Sequence, residues 1–231
     1  MINSVRATVM SAANKNNFGY ITPEDFNLFA KQAQLSIFED YFYQYNLWII
    51  KQNARQSGSG LADIVRNVEN VIDGLSVVST LTNVPTTSNF TVPENCYYIN
   101  SLRYGNKEID KVTADKFLYL NSSNLTAPST LYPAYTLNDN LVTVYPVTIA
   151  TGVSLQYIRY PRDPKWTYTN IVGGEPLFDQ SASDYQDFEL PLTDEPLLVD
   201  KILQFAGLSI RETEVNTFGN TEELKNQQAQ G

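Results

Sequence analysis

Ile21-Thr22-Pro23-Glu24-Asp25-Phe26 is the stretch that decides how this chain is read. Thr22 is a natural N-cap, Pro23 takes the first helical position where a missing N–H costs nothing, and Glu24 and Asp25 complement the positive end of the helix dipole. Ile21 and Phe26 occupy the two positions of a hydrophobic staple. Downstream, Phe26, Ala30, Ala33, Ile37, Tyr41, Tyr45 and Trp48 recur at three- and four-residue steps, with neither Gly nor Pro before Gly58. The spacing predicts a helix from Pro23 to about Gln56, roughly 50 Å long at about 1.5 Å per residue. Leu28, Leu35, Phe42 and Ile49 recur every seven residues on a different face. Two apolar faces on one helix demand neighbours on both sides.

Working outward, Ile2, Val5, Val9 and Ala12 predict a short amphipathic helix over residues 2–13, with Asn3 or Ser4 as its cap and the polar run from Asn14 to Gly19 as its connection onward. This helix supplies one neighbour; the other comes from elsewhere in the chain or from a second chain. Ser57-Gly58-Ser59-Gly60 reads as a flexible turn, because it lacks the Lys-Ser or Lys-Thr of a phosphate-binding loop. Ile64, Val68, Val71 and Ile72 predict a further helix over residues 61–75, with Gly74 as its stop.

From Ser76 to about Trp166 the period changes from 3.6 to 2, with Val, Thr, Tyr and Ile dominant. Arg103-Tyr104-Gly105-Asn106-Lys107 and Leu137-Asn138-Asp139-Asn140-Leu141 predict two hairpin turns, and Val153 to Tyr160 a strand stopped by Pro161. Ala114-Asp115-Lys116-Phe117 departs from strand composition and predicts a short helix starting at Thr113. After an irregular acidic stretch, Leu192-Thr193-Asp194-Glu195-Pro196 opens a last helix with Leu197, Leu198, Ile202, Phe205, Ala206 and Ile210 as its apolar stripe. Residues 221–231 are polar and Gln-rich, a frayed end or a tail ordered by a partner.

The expected fold class is therefore α+β: N- and C-terminal helices form a helical unit carrying an inserted antiparallel β-sandwich or barrel-like module. The expected divisions are residues 1–75, 76–172 and 173–231, the last being an acidic loop and a helix that packs back on the first part.

Composition narrows function more by what it lacks. Of 231 residues none is His, which removes Ser-His-Asp and Cys-His nucleophile systems and nearly all zinc or non-haem iron sites. Carboxylate and magnesium chemistry survive that cut. Cys96 is the single cysteine, so an internal disulfide is impossible and a buried small hydrophobe or an incidental free thiol is expected. The first twenty residues lack the apolar run of a secretory signal, and no stretch approaches membrane-spanning length, so synthesis and assembly in a reducing cytoplasm are expected.

Charge is distributed unevenly. Residues 1–174 carry 13 basic and 13 acidic side chains, so the whole net charge of −9 falls in residues 175–231, which carry 3 and 12. A surface of this sign repels phosphate backbones, and DNA would slide past it without sticking.

Three constellations carry possible chemistry, and each has a plainer reading. Glu175, Asp179, Asp184, Asp187 and Glu189 form the one dense carboxylate group. They lie among Gly, Pro and Ser, a loop composition that favours a solvated face over a glycosidase dyad, and they lack the spacing of a calcium loop. The fifteen Tyr and two Trp suit core and subunit contact better than a carbohydrate platform. Tyr157 to Trp166, with Arg159 and Arg162 beside Tyr160 and Trp166, could stack single-stranded nucleic acid, but Pro161, Asp163 and Pro164 favour an ordered strand exit.

Four stretches carry a family likeness: residues 17–27 (Asn-Phe-Gly-Tyr-Ile-Thr-Pro-Glu-Asp-Phe-Asn), residues 33–39 (Ala-Gln-Leu-Ser-Ile-Phe-Glu), residues 157–166 (Tyr-Ile-Arg-Tyr-Pro-Arg-Asp-Pro-Lys-Trp) and residues 205–212 (Phe-Ala-Gly-Leu-Ser-Ile-Arg-Glu). In these the chain resembles virion structural proteins of crAss-like tailed bacteriophages. The resemblance implies a ring or adaptor protein of the head-to-tail connector, below the portal of a short-tailed virion and assembled in the host cytoplasm. Its partners would be further copies in a closed, dodecameric ring, the portal protein and other ring or tail proteins. DNA would pass through the lumen without specific binding, and no membrane, cofactor, metal or catalytic residue is implied.

On this reading the helices from Pro23 and Asp194 build the ring wall, and the β module meets the ring above or below. The residues expected at interfaces are Phe26, Ile37, Tyr41, Phe42, Tyr45, Trp48 and Ile49 on the long helix, Arg159, Tyr160 and Trp166 at the strand exit, and Phe205 on the last helix. Two rivals stand against it: a tail fibre or receptor-binding module that binds carbohydrate on Tyr and Trp, and a carboxylate hydrolase using Asp184 and Asp187.

Overall fold

The computed structural model describes residues 1–15, 21–53, 62–84, 88–170 and 176–209. The elements in chain order are α1 (Ile2–Lys15), α2 (Pro23–Asn53), α3 (Ala62–Gly74), β1 (Ser76–Thr80), β2 (Asn89–Thr91), β3 (Cys96–Tyr104), β4 (Lys107–Lys111), α4 (Ala114–Asn121), β5 (Ala134–Asn138), β6 (Leu141–Tyr145), β7 (Val153–Arg159), β8 (Tyr168–Thr169), β9 (Leu177–Phe178) and α5 (Glu195–Ser209). The fold class is α+β, with a curled, mainly antiparallel sheet in the manner of a half-barrel. The turn expected at 57–60, the tail at 221–231, residues 16–19 of the first connection and Ile210 of the last stripe lie outside the described residues, as do residues 17–20 and 210–212 of the family likeness.

The chain divides into two compact units, residues 1–71 with 161–231, and residues 72–160. Residues 161–170 fall in the first of these units.

In the first unit the start of α2 forms as its residues dictate. The Asp25 amide donates to Thr22 Oγ1 at 3.1 Å, the N-cap bond, and the Thr22 hydroxyl donates in turn to Asp25 Oδ2 at 2.6 Å, which fixes the capping side chain. Ile21 and Phe26 are buried in one cluster, as a staple requires. Phe26, Ala30, Ala33 and Ile37 of α2 share that core with Ile2, Val5 and Val9 of α1, with Leu198, Ile202 and Ala206 of α5, and with Trp166, Phe188 and Leu190 from extended segments. Helix α1 is not capped by Asn3 or Ser4. The Asp187 carboxylate accepts from the Met1 ammonium at 3.0 Å and the Ile2 amide at 2.8 Å, so a remote anion takes the cap position and the favourable end of the dipole.

In the second unit the sheet order is β1-β7-β3-β4-β5-β6-β2. All pairings are antiparallel except β4 with β5, which need a crossover, and α4 lies on it. Both expected hairpins form. Tyr104 pairs with Lys107 across Gly105 (φ 60°), and Asn138 pairs with Leu141 across Asp139 (φ 52°), residue types that tolerate left-handed backbone. Thr113 caps α4, accepting from the Lys116 amide at 3.4 Å. Beyond β1 the chain leaves β7 and pairs with β2, through an Asn83–Phe90 bridge and a Val84 amide bond to the Asn89 carbonyl at 2.8 Å. The segment that follows one end strand of the sheet thus meets the strand at the other end. Phe90, Leu102, Ile109, Val142, Val144, Val153 and Leu155 fill the concave side.

Candidate interaction surfaces

The inner half of α2 is closed by an extended segment rather than by a helix. Asn27, Lys31 and Gln34, at i, i+4 and i+7, form a polar stripe beside the apolar one. The Asn27 side-chain amide bonds both ways with the Trp166 backbone, accepting from its amide at 2.8 Å and donating to its carbonyl at 3.2 Å. Lys31 pairs with Asp163 at 2.7 Å. Gln34, buried, donates to the Arg162 carbonyl at 2.7 Å and accepts from the Glu189 amide at 2.9 Å. Side-chain amides thus satisfy backbone groups that have no strand to pair with. Trp166 is buried at the end of this zipper; its indole donates to Asn3 Oδ1 at 3.1 Å, and the Arg6 guanidinium lies 3.9 Å from its ring centre.

Farther along α2 the Tyr41 hydroxyl lies 2.9 and 2.8 Å from the two oxygens of Asp194, the buried residue that precedes α5. Burial, with the adjacent carboxylate, pushes the Tyr41 phenol well above its ordinary range. Burial also raises Asp194, only partly offset by its bonds from Tyr41 and Thr193. Lys201 of α5 donates to Ser36 Oγ at 3.0 Å and lies 3.5 Å from Asp40.

Beyond Phe38 the helix changes character. No residue from Glu39 to Ile50 is buried, although this run includes Tyr41, Phe42, Tyr43, Tyr45, Leu47, Trp48, Ile49 and Ile50. Tyr43, Leu47 and Ile50, at i, i+4 and i+7, form one exposed stripe, with Tyr43 64% and Ile50 62% exposed.

The residues expected at interfaces therefore separate into two groups. Phe26, Ile37 and Trp166 are buried in the core of their own unit, among residues of α1 and α5 and beside Phe188 and Leu190. Phe42, Tyr45, Trp48 and Ile49 are half-buried on outer α2, with Tyr45 and Trp48 in ring contact at 6.4 Å. Tyr41 and Phe205 are half-buried at the rim of the helical core. Arg159 donates to the Tyr160 carbonyl at 3.1 Å, and Tyr160 is exposed, edge-on to Tyr97 at 5.0 Å.

The acidic group resolves into separate structural contacts. Asp179 accepts from the Ser181 amide and hydroxyl, which lower its pKa, and Asp184 is lowered by Lys165, its ion-pair partner. Burial acts to raise Asp187, but the Met1 ammonium and the Ile2 and Phe188 amides outweigh it and hold the carboxyl below its usual range. Glu189 accepts from the Arg162 amide at 2.7 Å. Glu175 lies outside the described residues. Among the described residues no three His, Cys, Asp or Glu side chains group as metal ligands would, and no helix is long and apolar enough to cross a membrane. Cys96 is half-buried, and burial raises its thiol pKa, which lowers its reactivity.

One surface escaped sequence reasoning. Helix α4 buries none of its residues; Phe117 stacks on Tyr145 at 3.8 Å while Leu118 and Tyr119 face solvent. Leu125, Leu131 and Tyr132, on the same crossover, are exposed as well. The available signal was apolar density without charge: residues 113–133 hold only Asp115 and Lys116 as charged groups.

No protein-family model and no curated protein matches the chain.

Proposed function

We propose that this chain is a structural virion protein that assembles into a ring of the head-to-tail connector, linking portal to tail and leaving a passage for DNA. In this reading the helices of the two chain ends make one unit that carries the β module as an insertion, and the protein works by assembly rather than turnover. The observation that carries it is the outer half of α2, a ten-residue stretch from Tyr41 to Ile50 without a single charge and with Tyr43, Leu47 and Ile50 in water. Aromatic and aliphatic side chains at helical spacing without charge are what the centre of a protein interface is made of. The acidic balance of residues 175–231 supports a wall that does not hold a phosphate backbone.

The test is light scattering and electron microscopy of the purified chain, alone and with the portal protein as template, followed by tracing of the chain in reconstructed particles. Closed rings of fixed copy number, twelve on the family likeness, are expected. A chain that never enters a circular array in the particle overturns the reading.

A further inference from the structure

Strand β1 ends the seven-stranded sheet and pairs with β7 alone. The bonds at its two ends fix which way its backbone faces. The Arg159 amide donates to the Leu75 carbonyl at 3.0 Å, and the Leu81 amide donates to the Val153 carbonyl at 2.9 Å. Backbone groups alternate sides along an antiparallel strand, and the register between these bonds is unbroken, so Leu75, Val77, Ser79 and Leu81 address β7. Ser76, Val78 and Thr80 therefore turn their N–H and C=O groups away from the sheet, and among the described residues nothing bonds to those groups. The edge lies in water: Val78 is 70% exposed, and Thr80 is exposed as well. At the other end of the sheet β2 is met by Asn83 and Val84. Natural edge strands are guarded by Lys, Pro, a bulge or a covering segment, and residues 76–80 have no such guard.

We infer that β1 of one copy pairs antiparallel with β1 of a second copy, about a two-fold axis at Val78, and so joins two sheets into one. The edge itself selects this occupant. Donors and acceptors repeating at every second residue are matched by another extended backbone, not by a nucleic acid or a helix. With the axis at Val78, that residue faces its own counterpart, and Ser76 faces Thr80 of the second copy. Every outward residue then meets an outward residue and exchanges both hydrogen bonds with it. The side chains agree with this register: Val meets Val, Ser meets Thr, and with no charge in residues 76–80 no like charges are opposed. One such contact satisfies the open edges of both copies, whereas a foreign strand satisfies one. Five residues a side make a small interface, so the pairing depends on concentration. The inference stands apart from the ring reading, which needs two different surfaces on each subunit rather than one shared surface.

The test is disulfide trapping in the full chain with Cys96→Ser, comparing Val78→Cys on the axis with Tyr132→Cys, which is also exposed but lies off the edge. Facing residues of a hydrogen-bonded pair lie ~5.5 Å apart at Cα, within the span of a disulfide. Under mild oxidation Val78→Cys should form covalent dimers about tenfold faster or more, because pairing raises the local thiol concentration. In the otherwise unchanged chain, Val78→Lys sets like charges face to face and should weaken the dimer seen by sedimentation about tenfold or more. This substitution is at an exposed position, so the far-ultraviolet circular dichroism should stay the same. A chain that remains monomeric at its highest soluble concentration overturns the inference, as do equal trapping rates at positions 78 and 132. Rings that form equally well with Val78→Lys, and without trapping at 78, overturn this contact and leave the ring reading standing. Dimers trapped at 78 and abolished by Val78→Lys support the contact whether or not rings form.

Discussion

Residues 23–38 and 39–50 of α2 share one helix and one apolar periodicity, yet the first stretch buries Phe26, Ala30, Ala33, Ile37 and Phe38 and the second buries nothing. The difference is supply. Inner α2 meets Ile2, Val5 and Val9, the stripe of α5, and the 161–166 segment pinned by Asn27 and Gln34. Beyond the contacts of Asp40 with Lys201 and of Tyr41 with Asp194, no side chain of the helix is buried among the described residues. A periodic stripe states that a helix wants cover, not that its own chain provides it.

The largest effect expected on this contrast comes from Phe26→Ala, which should cost about 3–5 kcal/mol as a large buried ring is lost, against under ~0.5 kcal/mol for Ile50→Ala at an exposed site. Urea titration followed by the fluorescence of Trp48 and Trp166, both in the first unit, measures the two; equal costs would break the comparison. Next is Gln34→Ala, expected to cost about 2–3 kcal/mol because the Arg162 carbonyl and Glu189 amide lose their partner beneath the surface. A loss within error would show that the segment is held by packing alone.

The two aspartates sharpen the same contrast through pH, with opposite signs. Asp187 has a lowered folded pKa, so its contribution is present above the unfolded value near ~3.9 and is lost as pH falls through the folded one. Asp187→Asn should cost about 1 kcal/mol at neutral pH, discounted for partial exposure, with a difference that shrinks in acid. Asp194 is raised, so between ~3.9 and its folded value stability falls as pH rises. Asp194→Asn, which keeps an acceptor for Tyr41, should remove that slope; urea midpoints across this pH range decide both signs. The smallest effect belongs to Tyr43→Ser, under ~0.5 kcal/mol on the isolated chain, seen only as weaker association in light scattering.

Local chemistry was legible. Thr22-Pro23 starts α2, Thr113 caps α4, and Gly105 and Asp139 turn the two hairpins, because each needs only its neighbours in sequence. The Asp187 cap on α1 was not legible, because its partner is 185 residues away. The β8–β9 pair was hidden in an acidic, irregular stretch, and the exposed crossover was hidden because apolar residues in a short helix look the same in sequence whether covered or not.

By itself the sequence determined where helices begin, where strands turn, that imidazole chemistry is absent, and that the negative charge gathers in the last 57 residues. Those properties depend on residue identity and spacing within a few positions. Only the tertiary structure decided that Phe26, Ile37 and Trp166 face inward while Tyr43, Leu47, Ile50 and the α4 crossover face water. Burial is a relation between distant segments, and no local period states which of two equal stripes its own chain will cover.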